Sequence, residues 1–175
     1  MSDPFTPIEA LEGRVGALFG LDFGTRTIGI AVSEEGWRIA SPLETIRRAK
    51  FKADAERLFH LADRYNVCAF IVGLPYNMDG SAGPRVQSTR DFARNLGKLD
   101  PRPVVAWDER WSTVAANRAM IEADASRAKR REAVDKIAAT LILQGALDRL
   151  RALGLSGNAP PLSRRPVGED GDEPL

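Results

Sequence analysis

Cysteine and histidine are almost absent from this chain, since each occurs once among 175 residues. A single cysteine excludes a disulfide framework, and one cysteine with one histidine excludes a zinc cluster built from thiolates and imidazoles. No apolar run approaches the ~18–20 residues that would span a bilayer. The acidic, proline-containing start, MSDPFTPIEALEGR, is not typical of a secretory signal. A cytoplasmic protein is therefore expected.

The chain also lacks a net charge of one sign, with 25 Lys and Arg against 24 Asp and Glu. Such a near-balance neither predicts nor excludes a polyanionic partner. The distribution of charge along the chain is therefore the more informative property. The segment 82–131 holds eleven basic and six acidic residues and ends in the run RAKRR. The chain therefore contains a basic region although its net charge is close to zero.

Composition indicates one folded body with loose ends. Hydrophobic residues make up 43% and charged residues 28% of the chain, which is typical of a globular domain. Residues 1–13 carry two prolines and no sustained period, and residues 154–175 are rich in Pro, Gly and charge. We expect a flexible N-terminus over 1–13, one domain over 14–153 and a disordered C-terminal tail over 154–175.

Apolar periodicity within the body predicts an α/β fold. Short apolar runs predict five strands: Val15–Asp22, Ile28–Ser33, Trp37–Ile46, Val67–Val72 and Pro103–Trp107. Helical spacing predicts four helices: Phe51–Tyr65, Gly83–Leu96, Ser112–Ala123 and Arg131–Leu150. The first two strands read as a hairpin, and Pro42 places the third strand at an edge or a bend. This order predicts a mixed five-stranded sheet, antiparallel in its first three strands and then parallel, flanked by helices.

Carboxylates stand where these predicted elements end. Asp22 ends the first strand, Asp108 and Glu109 end the last strand, and Asp135 lies near the apolar stripe of the final helix. Binding sites of α/β sheets collect at strand ends, and converging carboxylates need a cation to offset their repulsion. Each acid on its own also fits a turn, a solvated position or a helix N-terminus. Spacing alone leaves both interpretations open.

Four motifs in order resemble one bacterial family. LDFGTRTIGIAVS begins at Leu21, VGLPYNMDGSAG at Val72, WDERWST at Trp107 and VDKIAATLILQ at Val134. Together they resemble the YqgF-type family, whose members are described as Holliday junction resolvases and as pre-16S ribosomal RNA nucleases. The resemblance covers about residues 14–150.

That resemblance implies a ribonuclease H-like fold and three metal-binding, catalytic acids, here Asp22, Glu109 and Asp135. It implies Mg²⁺ or Mn²⁺ as cofactor and a two-metal endonuclease mechanism. The favoured function is processing of the 5′ end of the 16S ribosomal RNA precursor during ribosome biogenesis. The family's usual basic pair in the first hairpin appears here as Arg26-Thr27, so one cation is missing.

Further residues are expected to contact nucleic acid. GLPYNMDGSAG follows a buried strand and is expected to form a loop at the same sheet end as Glu109. Its polar groups could bind phosphate, or could simply form an Asp79-Gly80 turn. The expected nucleic-acid-binding residues are Arg26, Asn77, Ser81, Arg85, Arg110, Arg127, Lys129, Arg130 and Arg131.

Other functions remain open from the sequence. A Holliday junction resolvase would need a two-fold dimer, and no dimerisation signature is evident, so a monomer acting on RNA is favoured and a dimer stays possible. The motif DFGTRTIGIAVS also resembles the phosphate loop of the actin, Hsp70 and sugar-kinase group, although those proteins use two lobes. A nucleic-acid-binding assembly factor without turnover is the third alternative.

Overall fold

The molecule is described here from a computed structural model covering residues 2–111 and 128–157, with the side chains of the last helix described from Ala133 onward. The five strands are β1 (Ala17–Phe23), β2 (Thr27–Ser33), β3 (Ala40–Arg47), β4 (Val67–Leu74) and β5 (Val104–Asp108). The α-helices of the described ranges are α1 (Phe51–Arg64), α2 (Pro84–Leu99) and α3 (Ala128–Ala152). Short 3₁₀ helices span Ile8–Leu11 and Glu109–Trp111. The predicted helix Ser112–Ala123 lies outside the described residues.

The strands form one mixed sheet in the order β3-β2-β1-β4-β5. β1 and β2 pair antiparallel, as do β2 and β3, whereas β4 is parallel to both β1 and β5. This confirms the predicted five-stranded arrangement. β3 is an edge strand, and its register with β2 shifts next to Pro42, as expected for a residue that cannot donate to the ladder.

Helices cover both faces of the sheet. α1 and α2 pack on one face, over a cluster that includes Phe19, Phe70 and Val72. α3 packs on the other face, over Leu18, Ala69 and Ile71. Alternation along each strand assigns neighbouring residues to opposite faces, so Asp22 follows Leu18 and Gly20 on the face that α3 covers.

Glycine allows α3 to lie unusually close to the sheet. A Cβ added at Gly20 would lie 2.6 Å from the Cβ of Leu143 and 2.7 Å from the carbonyl oxygen of Ala139. A Cβ added to Gly145 on the helix would lie 2.7 Å from the Trp107 ring. Any larger residue at these positions would push the helix outward. The same close approach recurs at the end of the sheet that carries the acids.

The described N-terminal residues pack on the body of the fold. Thr6 donates its backbone N–H to the carbonyl of Val104 at 2.8 Å, and Leu11 is fully buried. At the other end, Leu155 packs against the cluster under α3, and a Cβ added at Gly157 would lie 2.9 Å from the Cδ1 atom of Trp37. Described residues on both sides of 14–153 therefore contact the body of the fold. Residues 158–175 of the predicted tail lie outside the described residues, so the domain division stays a prediction. None of the described helices is long and apolar enough to cross a membrane.

Candidate active site

Asp22 occupies the centre of the sheet's carboxyl end. It is the penultimate residue of β1, the central strand, and only 1% of its surface is exposed. Its partner on β2 is Gly29. Leu21 pairs with Val72 on β4, so Asp22 and Gly73 follow side by side on the two parallel strands. The buried carboxylate thus has a glycine on either side.

Glu109 reaches this centre over Gly73. A Cβ added at Gly73 would lie 2.9 Å from the Oε1 atom of Glu109, so the glycine leaves the space that this carboxylate uses. Glu109 is 4% exposed and begins the 3₁₀ helix after β5. Strand alternation turns Trp107 toward α3 and Asp108 away from it. Glu109 lies on the α3 face, since a Cβ added at Gly73 would meet both Glu109 and Ile142 of α3.

Asp108 has a different role from Glu109. Its carboxylate accepts hydrogen bonds from the backbone N–H of Arg110 at 2.9 Å and from the Arg110 guanidinium at 2.6 to 3.1 Å. Burial acts to raise the pKa of Asp108, but these hydrogen bonds and the positive charge of Arg110 outweigh it and hold the pKa below its usual range. Asp108 therefore stays ionised and fixes Arg110.

Asp135 reaches the centre from α3 over Gly29. A Cβ added at Gly29 would lie 2.5 Å from the carbonyl carbon of Asp135 and 3.1 Å from its Cβ. The Thr27 hydroxyl donates a hydrogen bond to the Oδ2 atom of Asp135. The first strand pair and the last helix are therefore joined at this carboxylate.

The two glycines form a cradle around Asp22 that fits a site for a hard cation. Each glycine next to Asp22 admits one of the other two acids, and carboxylate oxygens are the ligands that Mg²⁺ and Mn²⁺ prefer. Across the parts of the chain that the structure describes, no group of three His, Cys, Asp or Glu side chains is arranged to hold a metal ion. The carboxylate chemistry of the three acids nevertheless fits such a cation.

Arg110 follows Glu109 in the 3₁₀ helix and is held in a fixed orientation. Besides its bonds to Asp108, its guanidinium lies 5.3 Å from the centre of the Tyr76 ring. A Cβ added at Gly80 would lie 3.0 Å from its Nη1 atom, so the loop after β4 also contacts it. Hydrogen bonding to Asp108 raises the pKa of Arg110 further, so the group is a permanent cation. The loop after β4 and Glu109 lie at the same sheet end, as predicted.

Asn77 and Ser81 hold this loop in shape. The Asn77 side chain donates to the Ser81 hydroxyl at 2.9 Å, and that hydroxyl and its backbone N–H both bond to Asp79. The hydrogen bonds from Ser81 lower the pKa of Asp79, with a further contribution from the charge of Arg110. Gly80 has φ +87°, the left-handed conformation that glycine adopts without strain. The Asp79-Gly80 turn predicted as an alternative is present.

The other predicted basic residues are distributed unevenly. Arg26 is exposed in the β1–β2 turn, and Arg85 is exposed in the first turn of α2, at the site end. Arg127 lies outside the described residues. Lys129, Arg130 and Arg131 belong to the first turns of α3, because that helix begins three residues earlier than expected, at Ala128; their side chains lie outside the described part.

Part of the basic region 82–131 lies away from the site. Arg102 precedes β5 at the opposite end of the sheet, where it bonds to the carbonyl of Val67 and pairs with Asp63 and Asp100. The position of Arg102 could not be predicted from local sequence. Residues at the two ends of one strand or helix are close in sequence, but the whole height of the sheet separates them in the fold.

Sequence reasoning missed a second group of cations and two supporting side chains. Arg47 ends β3 and is the cross-strand partner of Thr27, and Arg48 follows it. The run RRAKFK at 47–52 was the available signal, with four basic residues among six. Thr27 and Tyr76 could not be found from residue type, since their roles depend on Asp135 and Arg110 being brought to them.

Comparison with known proteins decides the family. The family model of RuvX, described as "Holliday junction resolvase", matches residues 16–149. The chain belongs to the RuvX family. The predicted YqgF-type resemblance is thereby confirmed, because RuvX and YqgF denote the same family.

Similar RuvX-family chains carry a different name. A protein of Rhodobacter capsulatus is 62% identical over 141 residues, covering 81% of this chain and 89% of that one. A protein of Beijerinckia indica is 58% identical over 147 residues, covering 84% and 89%. Both are named "Putative pre-16S rRNA nuclease".

A solved structure confirms the ribonuclease H-like fold of this RuvX-family chain. The RuvC protein of T. thermophilus, solved in complex with a Holliday junction substrate, aligns with a TM-score of 0.52. The alignment covers 81% of this chain and 98% of that chain at 14% identity. At this identity the likeness shows the fold alone.

Proposed function

We propose that this protein is a divalent-metal-dependent endonuclease that processes the 5′ end of the 16S ribosomal RNA precursor. The observation that carries the proposal is the glycine cradle, in which Asp22 lies between Gly29 and Gly73 and each glycine admits a second acid. The names of the similar proteins from two bacteria support the ribosomal substrate.

The three acids have distinct structural tasks in the proposed site. Asp22 is fixed by the central strand and would hold the cation at the middle of the site. Glu109 and Asp135 would complete the site from β5 and α3. Thr27 would orient Asp135 through its hydroxyl.

Two Mg²⁺ or Mn²⁺ ions bound by these acids would supply an activated water and stabilise the departing oxygen of an in-line phosphodiester cleavage. Arg110 would hold a phosphate of the substrate, because Asp108 and Tyr76 fix its guanidinium at the carboxyl end of the sheet. No histidine base is required, and the one histidine, His60, is exposed on α1, across the sheet from α3. We further propose that the enzyme acts as a cytoplasmic monomer, since a single cut needs one site.

A nuclease assay with two substrates tests the proposal. Purified protein is offered an RNA carrying the precursor 5′ extension and, at equal concentration, a synthetic four-way DNA junction, each with Mn²⁺. We expect cleavage of the RNA at a defined position and no paired cuts in the junction. Asp22→Asn should abolish cleavage, whereas Glu56→Gln, which removes a charge from α1, should not.

The outcomes separate the alternatives. Symmetric junction cleavage by a stable dimer, with the RNA left intact, would favour the resolvase that the family description names. Binding of the RNA without any cleavage, in wild type and Asp22→Asn alike, would favour an assembly factor. Micromolar binding of ATP in the absence of nucleic acid would support the actin-like and Hsp70-like alternative instead.

Metal binding has its own readout. A ligand that binds only the folded state stabilises it by RT ln(1 + [L]/Kd), or about 2.7 kcal/mol at a hundredfold excess over Kd. Mn²⁺ should therefore raise the melting temperature of the wild type, and Asp22→Asn should remove this gain. Equal shifts in both proteins would contradict a shared site.

A further inference from the structure

We propose that a cleft between α1 and α2 binds one nucleobase of the substrate strand, beside the phosphate held at the candidate active site. We name it the α1–α2 cleft and define it by Phe23, Arg48, Asp91 and Asn95, which line it together with Phe51 and Phe92. Its volume is about 300 Å³. The inference rests on the proposed function and adds a subsite for a base to a site that otherwise contacts the backbone.

The cleft begins where the central acid ends β1. Asp22 and Phe23 are the last two residues of that strand, so their side chains lie on opposite faces of the sheet. Phe23 packs with the cluster under α1 and α2, and its Cα lies about 3.8 Å from that of Asp22. A nucleic acid strand with a phosphate at Asp22 that crosses this edge of the sheet therefore brings a neighbouring base to the opening of the cleft.

Flat groups in the cleft form a column that ends in Arg48. The rings of Phe23 and Phe92 stack with their centres 4.2 Å apart and their planes 11° from parallel. The guanidinium carbon of Arg48 also lies 4.2 Å from the centre of the Phe23 ring. Two groups so close to one ring centre occupy its two faces, so Arg48 covers the face that Phe92 leaves. Arg48 is exposed, and bases stack on guanidinium planes as they do on aromatic rings.

The turn after β1 holds Arg48 in place. Its guanidinium donates hydrogen bonds to the carbonyls of Gly24 at 2.8 Å and Thr25 at 3.2 Å. Its backbone N–H donates to the carbonyl of Arg26 at 2.8 Å. The guanidinium plane is therefore ordered before a ligand arrives, and less conformational entropy is lost when a base stacks on it.

The polar groups of the cleft suit the edge of a base better than a phosphate. The Oδ1 atom of Asp91 accepts hydrogen bonds from Gln87 and from Arg94, both at 3.0 Å. Its Oδ2 atom accepts none from the residues that the structure describes. A carboxylate repels a phosphate, but it accepts the amino or imino N–H of a base. The Asn95 amide, half-buried on the same helix, offers both a donor and an acceptor.

The size of the cleft matches one ring system. Ligand pockets commonly measure about 300–1,000 Å³, so this cleft lies at the small end of the range. Its walls are fixed by packing, since Phe51 meets Phe92 edge-on at 6.1 Å between ring centres. The other acid of the cleft, Asp54, is buried and accepts the backbone N–H of Ala49 at 3.0 Å. A single base fits these dimensions, whereas a base pair does not.

A strand without bases tests the cleft. The dissociation constants of two labelled strands are measured by fluorescence anisotropy in EDTA: a single-stranded RNA of mixed sequence, and a strand of the same length and charge whose sugars carry no bases. The ratio of the two constants measures the preference for bases. We expect the wild type to prefer the RNA, since a stacked base strengthens binding about fivefold or more.

Two variants separate base binding from backbone binding. Arg48→Lys keeps the charge but removes the guanidinium plane, so it should lower the preference about fivefold and leave the salt dependence of binding unchanged. Arg64→Lys makes the same exchange at an exposed position in the last turn of α1 and should keep the preference. Asp91→Ala removes an acid, which strengthens binding of both strands if only the backbone is bound, whereas a lost base contact lowers the preference for RNA.

Each outcome bears on the cleft. A lowered preference in Arg48→Lys and Asp91→Ala, but not in Arg64→Lys, supports it. Equal binding of the two strands by the wild type, or a preference that the variants retain, would overturn the cleft and leave the proposed function standing if the wild type still cleaves RNA with Mn²⁺. A wild type that neither binds nor cleaves RNA would overturn both. If Arg48→Lys lowers the melting temperature, Asp91→Ala and Asn95→Ala decide under the same criteria.

Discussion

Replacement of Gly29 by alanine would test how tightly α3 is held against the candidate site. The new methyl group would contact the carbonyl oxygen of Asp135 and lie 2.5 Å from its carbonyl carbon, where ordinary contact begins near 3.4 Å. The obstacle is backbone rather than a flexible side-chain end. The start of α3 must therefore retreat by about 1 Å, a displacement that can cost about a hundredfold in rate when it affects a catalytic group.

The expected stability change follows from overpacking. Forcing a methylene-sized group into a packed interface costs about 1–3 kcal/mol, and each kcal/mol lowers the melting temperature of a protein of this size by roughly 2–4 °C. Gly97→Ala in α2 is the matched control, because its Cβ would meet nothing within 4 Å. That change should stabilise the helix by about 0.5–1 kcal/mol. The same chemical substitution therefore has opposite predicted signs at the two positions.

Thermal and urea denaturation, each with and without Mn²⁺, give the measurement. We expect Gly29→Ala to melt lower than the wild type and to lose most of its response to the metal, while Gly97→Ala keeps that response. A Gly29→Ala protein that melts like the wild type and responds equally to Mn²⁺ would refute the close docking of α3 as the basis of the site.

Three further predictions use other parts of the molecule. Thr27→Val should weaken the stabilisation by Mn²⁺ seen in thermal melts, whereas Thr27→Ser, which keeps the hydroxyl, should retain it. Because Arg110 holds the folded-state pKa of Asp108 below its unfolded value of about 3.9, this carboxylate stabilises the protein fully above that pH and loses its contribution as pH falls through the folded pKa. Urea midpoints should accordingly fall less on acidification for Asp108→Asn than for the wild type. Removal of 158–175 should leave the melting temperature unchanged, while removal from Leu155 onward should lower it, since that side chain packs under α3.

The sheet could be predicted from the sequence because each strand carries its own local signal. Continuous apolar runs such as Val67–Val72 indicate a strand buried on both faces, and β4 lies between β1 and β5. Pro42 indicated an edge because it has no N–H to donate, and β3 is the edge strand. The position of Asp22 at a strand end could likewise be predicted, because an apolar run ends next to it in the sequence.

Features that depend on distant partners could not be predicted in this way. Trp37 was expected to begin a strand, yet it has φ +58°, is buried, and donates its indole N–H to the carbonyl of Gly16 at 2.8 Å. Asp108 binds Arg110, whereas Glu109 lies over Gly73. This difference depends on the face of the sheet on which each side chain lies. The sequence does not distinguish Gly29 and Gly73 from other glycines in strands. Their role in leaving space for Asp135 and Glu109 is visible only in the folded protein.

The hydrogen bond between Thr27 and Asp135 bears on when, during synthesis of the chain, the three acids of the candidate site come together. It joins residues 108 positions apart. Closing so long a loop is slow compared with forming a hairpin, and a chain made from its N-terminus presents α3 after every strand of the sheet. A nascent or prematurely ended chain that lacks α3 would carry Asp22 and Glu109 without the third acid. On the proposed function, hydrolytic capacity would thus arise only when synthesis of the folded unit is nearly finished.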